Sequence, residues 1–259
     1  MVSLDGRVVL VTGASSGIGA LTAKLLAQRG AIPVLTARSL DKLTRLSEEI
    51  RSEHAVYEMD VRSEEQVAGV VAAVLEQYGR IDILLNNAGY GEFLSFLEAP
   101  LAHFEEMMDV NYMGTVRCTH AVLPHMIRAG GGHIVNVASM AGKMATAKST
   151  GYAATKHAVL GFTNALRREL RGSGIFVSAI NPGPIDTPFF DRADPSGQYV
   201  RNVGKFILLP ERVAAAIVSV MERRTRERDM PWAAGVGAKF AHVFPRTADK
   251  LFGKFLNKK

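Results

Sequence analysis

The chain contains 259 residues, of which 47% are apolar and 22% carry a formal charge, and its net charge is +6. This balance excludes an intrinsically disordered or fibrous protein, and a chain of this length can bury a large core in one or two domains. No apolar run reaches the roughly 18 residues that a transmembrane helix needs, so the sequence predicts no membrane-spanning segment.

The amino terminus and the cysteine content both bear on location. Residues 1–7 contain Asp5 and lead directly into a strand-like run, which is not the pattern of a secretory signal. Cys118 is the only cysteine, which excludes an internal disulfide and a CxxC-type zinc site. We expect a cytoplasmic protein without a metal site.

Short β-branched runs alternate with helical patterns over the first 185 residues. Strands are predicted at 7–13, 31–38, 54–61, 81–89, 132–139 and 174–183. Helices are predicted at 17–29 and 40–52, from Ser63 onward, and at 104–117. Strands separated by helices imply crossover connections, so we predict the α/β class, with one doubly wound parallel sheet covered by helices on both faces.

The remainder of the chain differs in composition. Residues 186–210 contain three prolines and two glycines, which predicts a long loop that serves as a substrate lid. A helix is predicted at 211–224. We treat residues 1–237 as a single domain and residues 238–259 as an appended amphipathic tail.

The first predicted strand runs into a glycine-rich turn with the sequence TGASSGIG, residues 12–19. Glycines let backbone N–H groups approach a pyrophosphate, and the following helix presents its positive end to that charge. The TGxxxGxG spacing differs from the common GxGxxG fingerprint. The predicted cofactor contacts of this turn are Gly13, Ser15, Ser16, Gly17, Ile18 and Gly19.

The end of the second predicted strand bears on the choice of cofactor. A carboxylate there would bind the ribose 2′-hydroxyl of NAD(H), but the sequence has Thr36, Ala37, Arg38 and Ser39. A carboxylate repels a 2′-phosphate, whereas a guanidinium can bind one through two hydrogen bonds. Arg38 therefore favours NADP(H), unless it is simply a solvated residue at the end of a strand.

Tyr152 and Lys156 lie four residues apart, on one face if the segment is helical. A tyrosine hydroxyl has an ordinary pKa near ~10, and a nearby ammonium group favours the phenolate and lowers that pKa. Such a pair can exchange a proton with a carbonyl or alcohol oxygen. Ser139, at the end of the fifth predicted strand, is placed to hold the substrate oxygen.

Together these motifs make the chain resemble the classical short-chain dehydrogenases/reductases. The TGASSGIG turn, the Asp60–Val61 pair, the NNAG motif of residues 86–89 and the NPGPIDT segment of residues 181–187 follow the family order. The intervals from Ser139 to Tyr152 and from Tyr152 to Lys156 are also those of the family. The matches span residues 7–187.

The resemblance implies a Rossmann-like fold and a mechanism. By this resemblance NADPH would deliver hydride to a carbonyl carbon, Tyr152 would give the proton, Ser139 would polarise the oxygen, and Lys156 would lower the pKa of Tyr152 and hold the nicotinamide ribose. Asn111 would be the fourth catalytic residue and would help to position a water molecule. Further cofactor contacts are implied for Asp60, Val61, Asn87, Ala88, Gly89, Pro182, Gly183, Ile185 and Thr187.

The substrate is less defined by sequence. Met140 and Met144 follow Ser139, and Pro188, Phe189 and Phe190 open the lid, which favours an apolar ketone or aldehyde unless these side chains only pack the lid. The alternatives are an NADP(H)-binding sensor without turnover and a 3-oxoacyl-carrier-protein reductase. The chain has no nucleic-acid docking motif, and nucleic-acid binding is not expected.

The tail is basic and carries several phenylalanines. Residues 201–259 hold 13 Lys and Arg against 5 Asp and Glu, and Pro245 is predicted to start a second helix within the tail. The aromatic and aliphatic side chains there predict one apolar face, formed by Phe240, Phe244, Leu251, Phe252, Phe255 and Leu256. This face fits peripheral membrane contact, association into a homo-oligomer, or packing on the chain's own domain. The family's glycine-rich final strand is replaced here by MPWAAGVG at 230–237 and a basic helix, which departs from the usual tetramer pattern.

Overall fold

The computed structural model describes residues 1–248 and residue 250. The predicted tail residues Leu251, Phe252, Phe255 and Leu256 lie outside the described residues. Residues 245–248 are helical, which confirms the predicted helix start at Pro245.

The described residues form one parallel sheet of seven strands in the order β3-β2-β1-β4-β5-β6-β7. The strands are β1 Val8–Thr12, β2 Ile32–Ala37, β3 Ala55–Glu58, β4 Ile83–Asn86, β5 Gly132–Val137, β6 Ile175–Pro182 and β7 Glu227–Met230. The six predicted strands are confirmed, each somewhat shorter than predicted. The edge strand β7 was missed because its sequence, ERDM, carries three charges and none of the β-branched residues that signal a strand.

Ten α-helices lie wholly within the described residues, in addition to the helical residues 245–248. They are α1 Gly17–Gln28, α2 Leu40–Glu48, α3 Glu64–Tyr78, α4 Leu101–Met108, α5 Gly114–Arg128, α6 Thr150–Glu169, α7 Phe189–Ala193, α8 Gln198–Val203, α9 Pro210–Arg223 and α10 Trp232–Val243. Ser63 caps α3 by accepting a hydrogen bond from the backbone N–H of Gln66, as its sequence predicts.

Helices cover both faces of the sheet, which confirms the predicted α/β class. Along β1, Val9 and Val11 belong to one buried cluster with residues of α1 and α9, whereas Val8 and Leu10 belong to another with residues of α3 and α5. A strand buried on both sides needs apolar residues throughout, because successive side chains point to opposite faces. The continuous VVLV run of β1 meets this requirement.

Two regions differ from the predicted outline. The segment 186–210 was expected to be a loop, but it contains α7 and α8 and is closed by a bridge between Ile185 and Leu208. Helix α10 runs through the expected boundary between residues 237 and 238, so the basic tail begins inside a helix. The separation of a tail from the domain stays a prediction.

No helix in the part of the chain that the structure describes is both long enough and apolar enough to cross a membrane.

Buried His133 gives the fold a dependence on pH. It lies in β5 beside the Ser178 hydroxyl, at 2.7 Å, and its burial lowers the pKa of the imidazole from 6.5 to about 4. Folding therefore favours the neutral ring. The stability from this residue is fully present above pH 6.5 and is lost as the pH falls toward 4.

We predict that His133→Gln flattens the dependence of the free energy of unfolding on pH. Between pH 6.5 and 4 the wild type should lose up to about 3 kcal/mol more than the variant. Urea unfolding at several pH values measures this difference, with exposed His120→Gln as the matched control. A variant that loses stability as steeply as the wild type would contradict the assignment.

Candidate active site

The order of the strands reverses beside β1. Strands β2 and β3 follow on one side of β1, and β4 to β7 follow on its other side. Open α/β sheets bind ligands outside the carboxyl ends of the strands at such a switch point. A cleft of about 670 Å³ lies there and extends from the glycine-rich turn after β1 to the aromatic residues of the lid segment.

A hydrogen-bonded clasp joins the ends of β1 and β4 at the floor of this cleft. The Thr12 hydroxyl accepts from the backbone N–H groups of Asn87 and Ala88, at 2.9 and 3.0 Å. The Asn87 side-chain amide donates to the carbonyl oxygens of Thr12 and Gly13, at 2.9 and 3.1 Å. Asn87 therefore fixes the shape of the turn as well as lining the cleft.

Two glycines of the turn have no room for a side chain. Gly13 has a φ of +67°, and a Cβ atom built on it would lie 2.8 Å from the Cα atom of Ala88. A Cβ atom on Gly19 would collide with the carbonyl oxygen of Gly13 and lie 2.6 Å from the Asn87 amide nitrogen. These contacts bring the backbone of the turn against the end of β4.

The N-terminus of α1 is suited to an anion. Its N-cap residue, Ser16, makes no side-chain capping hydrogen bond with any described residue, and the first turn carries no acidic side chain. The first N–H groups of a helix have no partner within the helix and bind phosphate groups readily. The residues of this turn therefore fit the pyrophosphate of a dinucleotide.

The rim beside the turn carries positive charge. Arg38 and Lys42 are exposed and line the cleft with Ser39. Burial acts to raise the pKa of Asp60, but hydrogen bonds from Arg62 and the charges of Arg62 and Arg38 bring the net pKa below its usual value. Asp60 is thus ionised at neutral pH and is already paired with Arg62.

Asn111 lies at a break in the helix predicted over 104–117. The structure instead has α4 to Met108, a π-helical segment at Asp109–Met113 and α5 from Gly114. The buried Asn111 amide donates to the Tyr90 carbonyl at 2.8 Å and to the Thr155 hydroxyl at 3.0 Å, and its oxygen accepts from the Tyr90 N–H at 2.9 Å. A π-helical segment often marks a functional site, but no sequence periodicity signals it.

Tyr152 and Ser139 meet in the cleft. Ser139 follows β5, and its hydroxyl accepts from the Ala141 N–H at 3.0 Å and donates to the Pro182 carbonyl at 3.3 Å. Tyr152 lies near the start of α6. Burial raises the pKa of its phenol to about 12, and a hydrogen bond with Ser139 acts in the opposite direction.

Lys156 lies one helical turn after Tyr152 and is 5% exposed. Its Nζ atom donates to the Val137 carbonyl at 2.9 Å and lies 5.8 Å from the centre of the Tyr152 ring. Burial lowers the pKa of the ammonium group to about 8. The net shift of the Tyr152 pKa is upward, not downward as expected: burial raises this pKa, and the opposing contribution comes from the Ser139 hydrogen bond.

The structure brings all the predicted cofactor contacts and three of the four predicted catalytic residues to one cleft. Asn111 does not line it, but its oxygen lies behind Gly89, where a built Cβ atom would be 2.9 Å from Asn111 Oδ1 and 3.6 Å from Lys156 Nζ. No group of three or more His, Cys, Asp or Glu side chains among the described residues is arranged to hold a metal ion.

Aromatic rings surround Tyr152, and two of them were not anticipated from the sequence. Phe93 lies 6.1 Å from the Tyr152 ring and 5.1 Å from the Tyr199 ring, measured between centroids, and Phe189 lies 5.6 Å from Tyr152. Phe93 follows β4 and Tyr199 belongs to α8, so only the tertiary fold brings them together. Only an enrichment of aromatic residues near the predicted lid could have suggested them.

One cation also reaches this end of the cleft. Arg192 lines it, but its guanidinium stacks 3.7 Å from the centre of the Tyr90 ring and its Nε atom lies 2.5 Å from the Glu92 carboxylate. Glu92 also binds His103 at 3.0 Å. The charge of Arg192 is therefore paired, and the rings of Phe93 and Phe189 are the apolar groups in contact with Tyr152.

Comparisons with known proteins agree with this architecture. The family model described as short chain dehydrogenase matches residues 7–196. An uncharacterized oxidoreductase of Staphylococcus saprophyticus is 42% identical over 198 residues, covering 75% of this chain and 85% of the relative.

Two solved structures are also similar. A short-chain dehydrogenase/reductase from Burkholderia phymatum in complex with NAD has a TM-score of 0.89 at 27% identity, covering 95% of this chain and 96% of that one. A serine dehydrogenase complexed with NADP⁺ has a TM-score of 0.81 at 31% identity, covering 86% and 94%.

The closeness of Gly19 to Gly13 gives a testable consequence. We predict that Gly19→Ala lowers the free energy of unfolding by about 1–3 kcal/mol, the usual cost of overpacking, and weakens binding of a nicotinamide dinucleotide. Thermal unfolding and fluorescence titrations with the reduced dinucleotides measure both effects.

Gly69→Ala is the matched control, because Gly69 lies in α3 with open space around a built Cβ atom. This change should stabilise the protein by up to about 1 kcal/mol. Equal stability and equal dinucleotide affinity in Gly19→Ala and the wild type would show that the turn is not packed as described.

Proposed function

The chain belongs to the short-chain dehydrogenase family and is an oxidoreductase, and from that premise we propose that it reduces an apolar ketone or aldehyde with NADPH. The observation that carries the proposal is the Tyr152 phenol, buried beside Ser139 in the same cleft as a glycine-rich turn suited to a dinucleotide. The fold binds nicotinamide cofactors, and the cleft extends from the glycine-rich turn to Tyr152 and Ser139.

The chain offers a continuous set of contacts for the cofactor. The turn from Gly13 to Gly19 and the N-terminus of α1 would hold the pyrophosphate, and Asp60 and Val61 would lie against the adenine. The backbone from Asn87 to Gly89, the Lys156 side chain and the segment from Pro182 to Thr187 would hold the nicotinamide riboside. When bound, the nicotinamide supplies hydride to a carbonyl carbon or accepts it from an alcohol carbon.

Arg38 and Lys42 support NADP(H) as the form used. Two exposed cations stand at the rim where a 2′-phosphate would lie, and no carboxylate follows β2 before Asp41. A guanidinium bound to a phosphate is a strong, charge-assisted contact. The similar solved structures hold either NADP⁺ or NAD, so the proposal rests on these side chains.

We predict that Arg38→Asp weakens NADPH binding by about 10- to 100-fold, since one charge-assisted hydrogen-bonded contact contributes about 1.5–3 kcal/mol. Its NADH affinity should stay unchanged or improve. Equilibrium titration with each coenzyme measures this, and exposed Arg45→Asp on α2, outside the cleft, is the control. Unchanged NADPH affinity in Arg38→Asp would refute the assignment.

We assign the donation of a proton to the carbonyl oxygen to the Tyr152 phenol. A phenol whose pKa is raised to about 12 keeps its proton throughout the neutral range, which suits a donor to a carbonyl oxygen that gains negative charge. Ser139 is close enough to Tyr152 to hydrogen-bond the same oxygen, and Lys156 provides a cation in the cleft. The Asn111 side chain hydrogen-bonds the backbone of Tyr90 and the Thr155 hydroxyl on α6. It would therefore hold these two parts of the site in position without lining the cleft.

We predict that Tyr152→Phe lowers kcat/KM for carbonyl reduction by at least about 100-fold, the range expected for loss of a general acid, while NADPH affinity changes little. The control is Tyr199→Phe, which removes another phenol from the same cleft. Reduction should be followed by loss of NADPH absorbance. Binding of NADPH without turnover of any carbonyl class would favour a sensor, and full activity of Tyr152→Phe would contradict the proton assignment.

The walls of the cleft support an apolar substrate. Phe93, Phe189, Phe190 and Tyr199 form one aromatic cluster, and Met140 and Met144 line the cleft beyond Ser139. Large flat rings and flexible methionines favour apolar or aromatic ketones and aldehydes. In a panel of carbonyl compounds, such substrates should have the highest kcat/KM. Exclusive activity on small sugars would overturn the proposed class, and selective activity on 3-oxoacyl thioesters would favour a carrier-protein reductase.

A further inference from the structure

Helix α10 carries a stripe of exposed apolar side chains. Trp232 and Val243 are 75% and 68% exposed, and the other members are also exposed. The stripe consists of Trp232, Val236, Phe240, Val243 and Phe244. Trp232, Val236, Phe240 and Val243 recur every three or four residues and therefore share one side of the helix. Phe244 follows directly after the last helical residue.

The stripe lies away from the rest of the fold. Gly235 and Ala238, the buried residues of α10, fall on the opposite side of the helix by the 3.6-residue repeat. Phe240 and Phe244 contact each other, with ring centroids 5.4 Å apart. A contiguous apolar surface on an otherwise folded protein marks an interaction site, and the packing of the described residues does not cover this one.

The charge around the stripe indicates the chemistry of its partner. From residue 231 to residue 259 the sequence has six Lys and Arg residues and one acidic residue, Asp249. Lys239 and Arg246 are exposed on or just beyond α10. Two copies of such a basic segment would repel each other in a symmetric contact, whereas a negatively charged surface would attract it.

We propose that α10 docks the protein on a bilayer surface that contains anionic lipid. Its apolar stripe would enter the boundary between headgroups and acyl chains, with the basic residues against the lipid phosphates. Tryptophan is enriched at this depth of a membrane. Ala234, from the same helix, lines the cleft. Docking would therefore bring the entrance of the cleft close to apolar compounds dissolved in the bilayer.

The full-length protein itself reports on this docking. Trp232 is the only tryptophan, so its fluorescence observes the stripe directly. We expect a blue shift of the emission, and co-sedimentation, with vesicles of phosphatidylcholine and phosphatidylglycerol, both weakened by high salt. Neither readout requires reductase activity, so failure here is distinguishable from failure of the proposed function.

The double variant Val236→Glu/Val243→Glu should bind these vesicles at least about 10-fold more weakly, because it places two anions in the stripe. Glutamate favours helices at least as well as valine, and circular dichroism and NADPH binding serve as checks of folding. The matched control is Leu97→Glu/Leu101→Glu, which changes two other exposed apolar residues and should bind as the wild type does.

Four outcomes would overturn the proposal. The first is no binding to anionic vesicles, and the second is equal binding to vesicles of phosphatidylcholine alone. The third is an equal loss of binding in the control variant. The fourth is blue-shifted Trp232 emission before vesicles are added, with no further shift; this would show that another copy or the chain's own last residues already cover the stripe.

Discussion

Tyr152 and Lys156 bring a phenol and an ammonium group into the same buried cleft, where the charged form of each is disfavoured. Burial raises the pKa of Tyr152 to about 12 and lowers that of Lys156 to about 8. The Val137 carbonyl partly compensates Lys156 by accepting its hydrogen bond. Ser139, the lid segment and the glycine-rich turn line the same cleft as this pair. Their contribution to the proposed reaction depends on that position.

A layer of buried polar groups keeps the pair in place. The Asn86 amide donates to Thr119 and to Asn136, and the Asn136 amide donates to the Thr163 hydroxyl on α6, at 2.8–3.1 Å. Breaking one of these buried hydrogen bonds would leave a polar group without a partner, which costs free energy of folding. The hydrogen-bonded series therefore tolerates few alternative side-chain arrangements. It ties β4 and β5 to α6, the helix that carries Tyr152 and Lys156.

Sequence accounts for much of the fold and for most of the cleft. Apolar runs and glycines near strand ends predicted six strands, and motif spacing predicted the residues that the carboxyl ends of those strands bring together. Strand β7 was not predicted because an edge strand needs no apolar run. The π-helical segment at Asn111 was not predicted because its residues keep the pattern of an α-helix. Phe93 and Tyr199 meet only through tertiary packing. The pKa of Tyr152 depends on burial, which motif spacing does not report.

In the proposed reaction, a hydride and a proton pass within this cleft to the carbon and the oxygen of one carbonyl group. The most direct measurement uses NADPH deuterated at the transferred position, with the most active carbonyl compound, and analyses the alcohol by mass spectrometry and NMR. We expect deuterium bound to the carbinol carbon of every product molecule. Alcohol formed without that label, or label found elsewhere in the product, would contradict it.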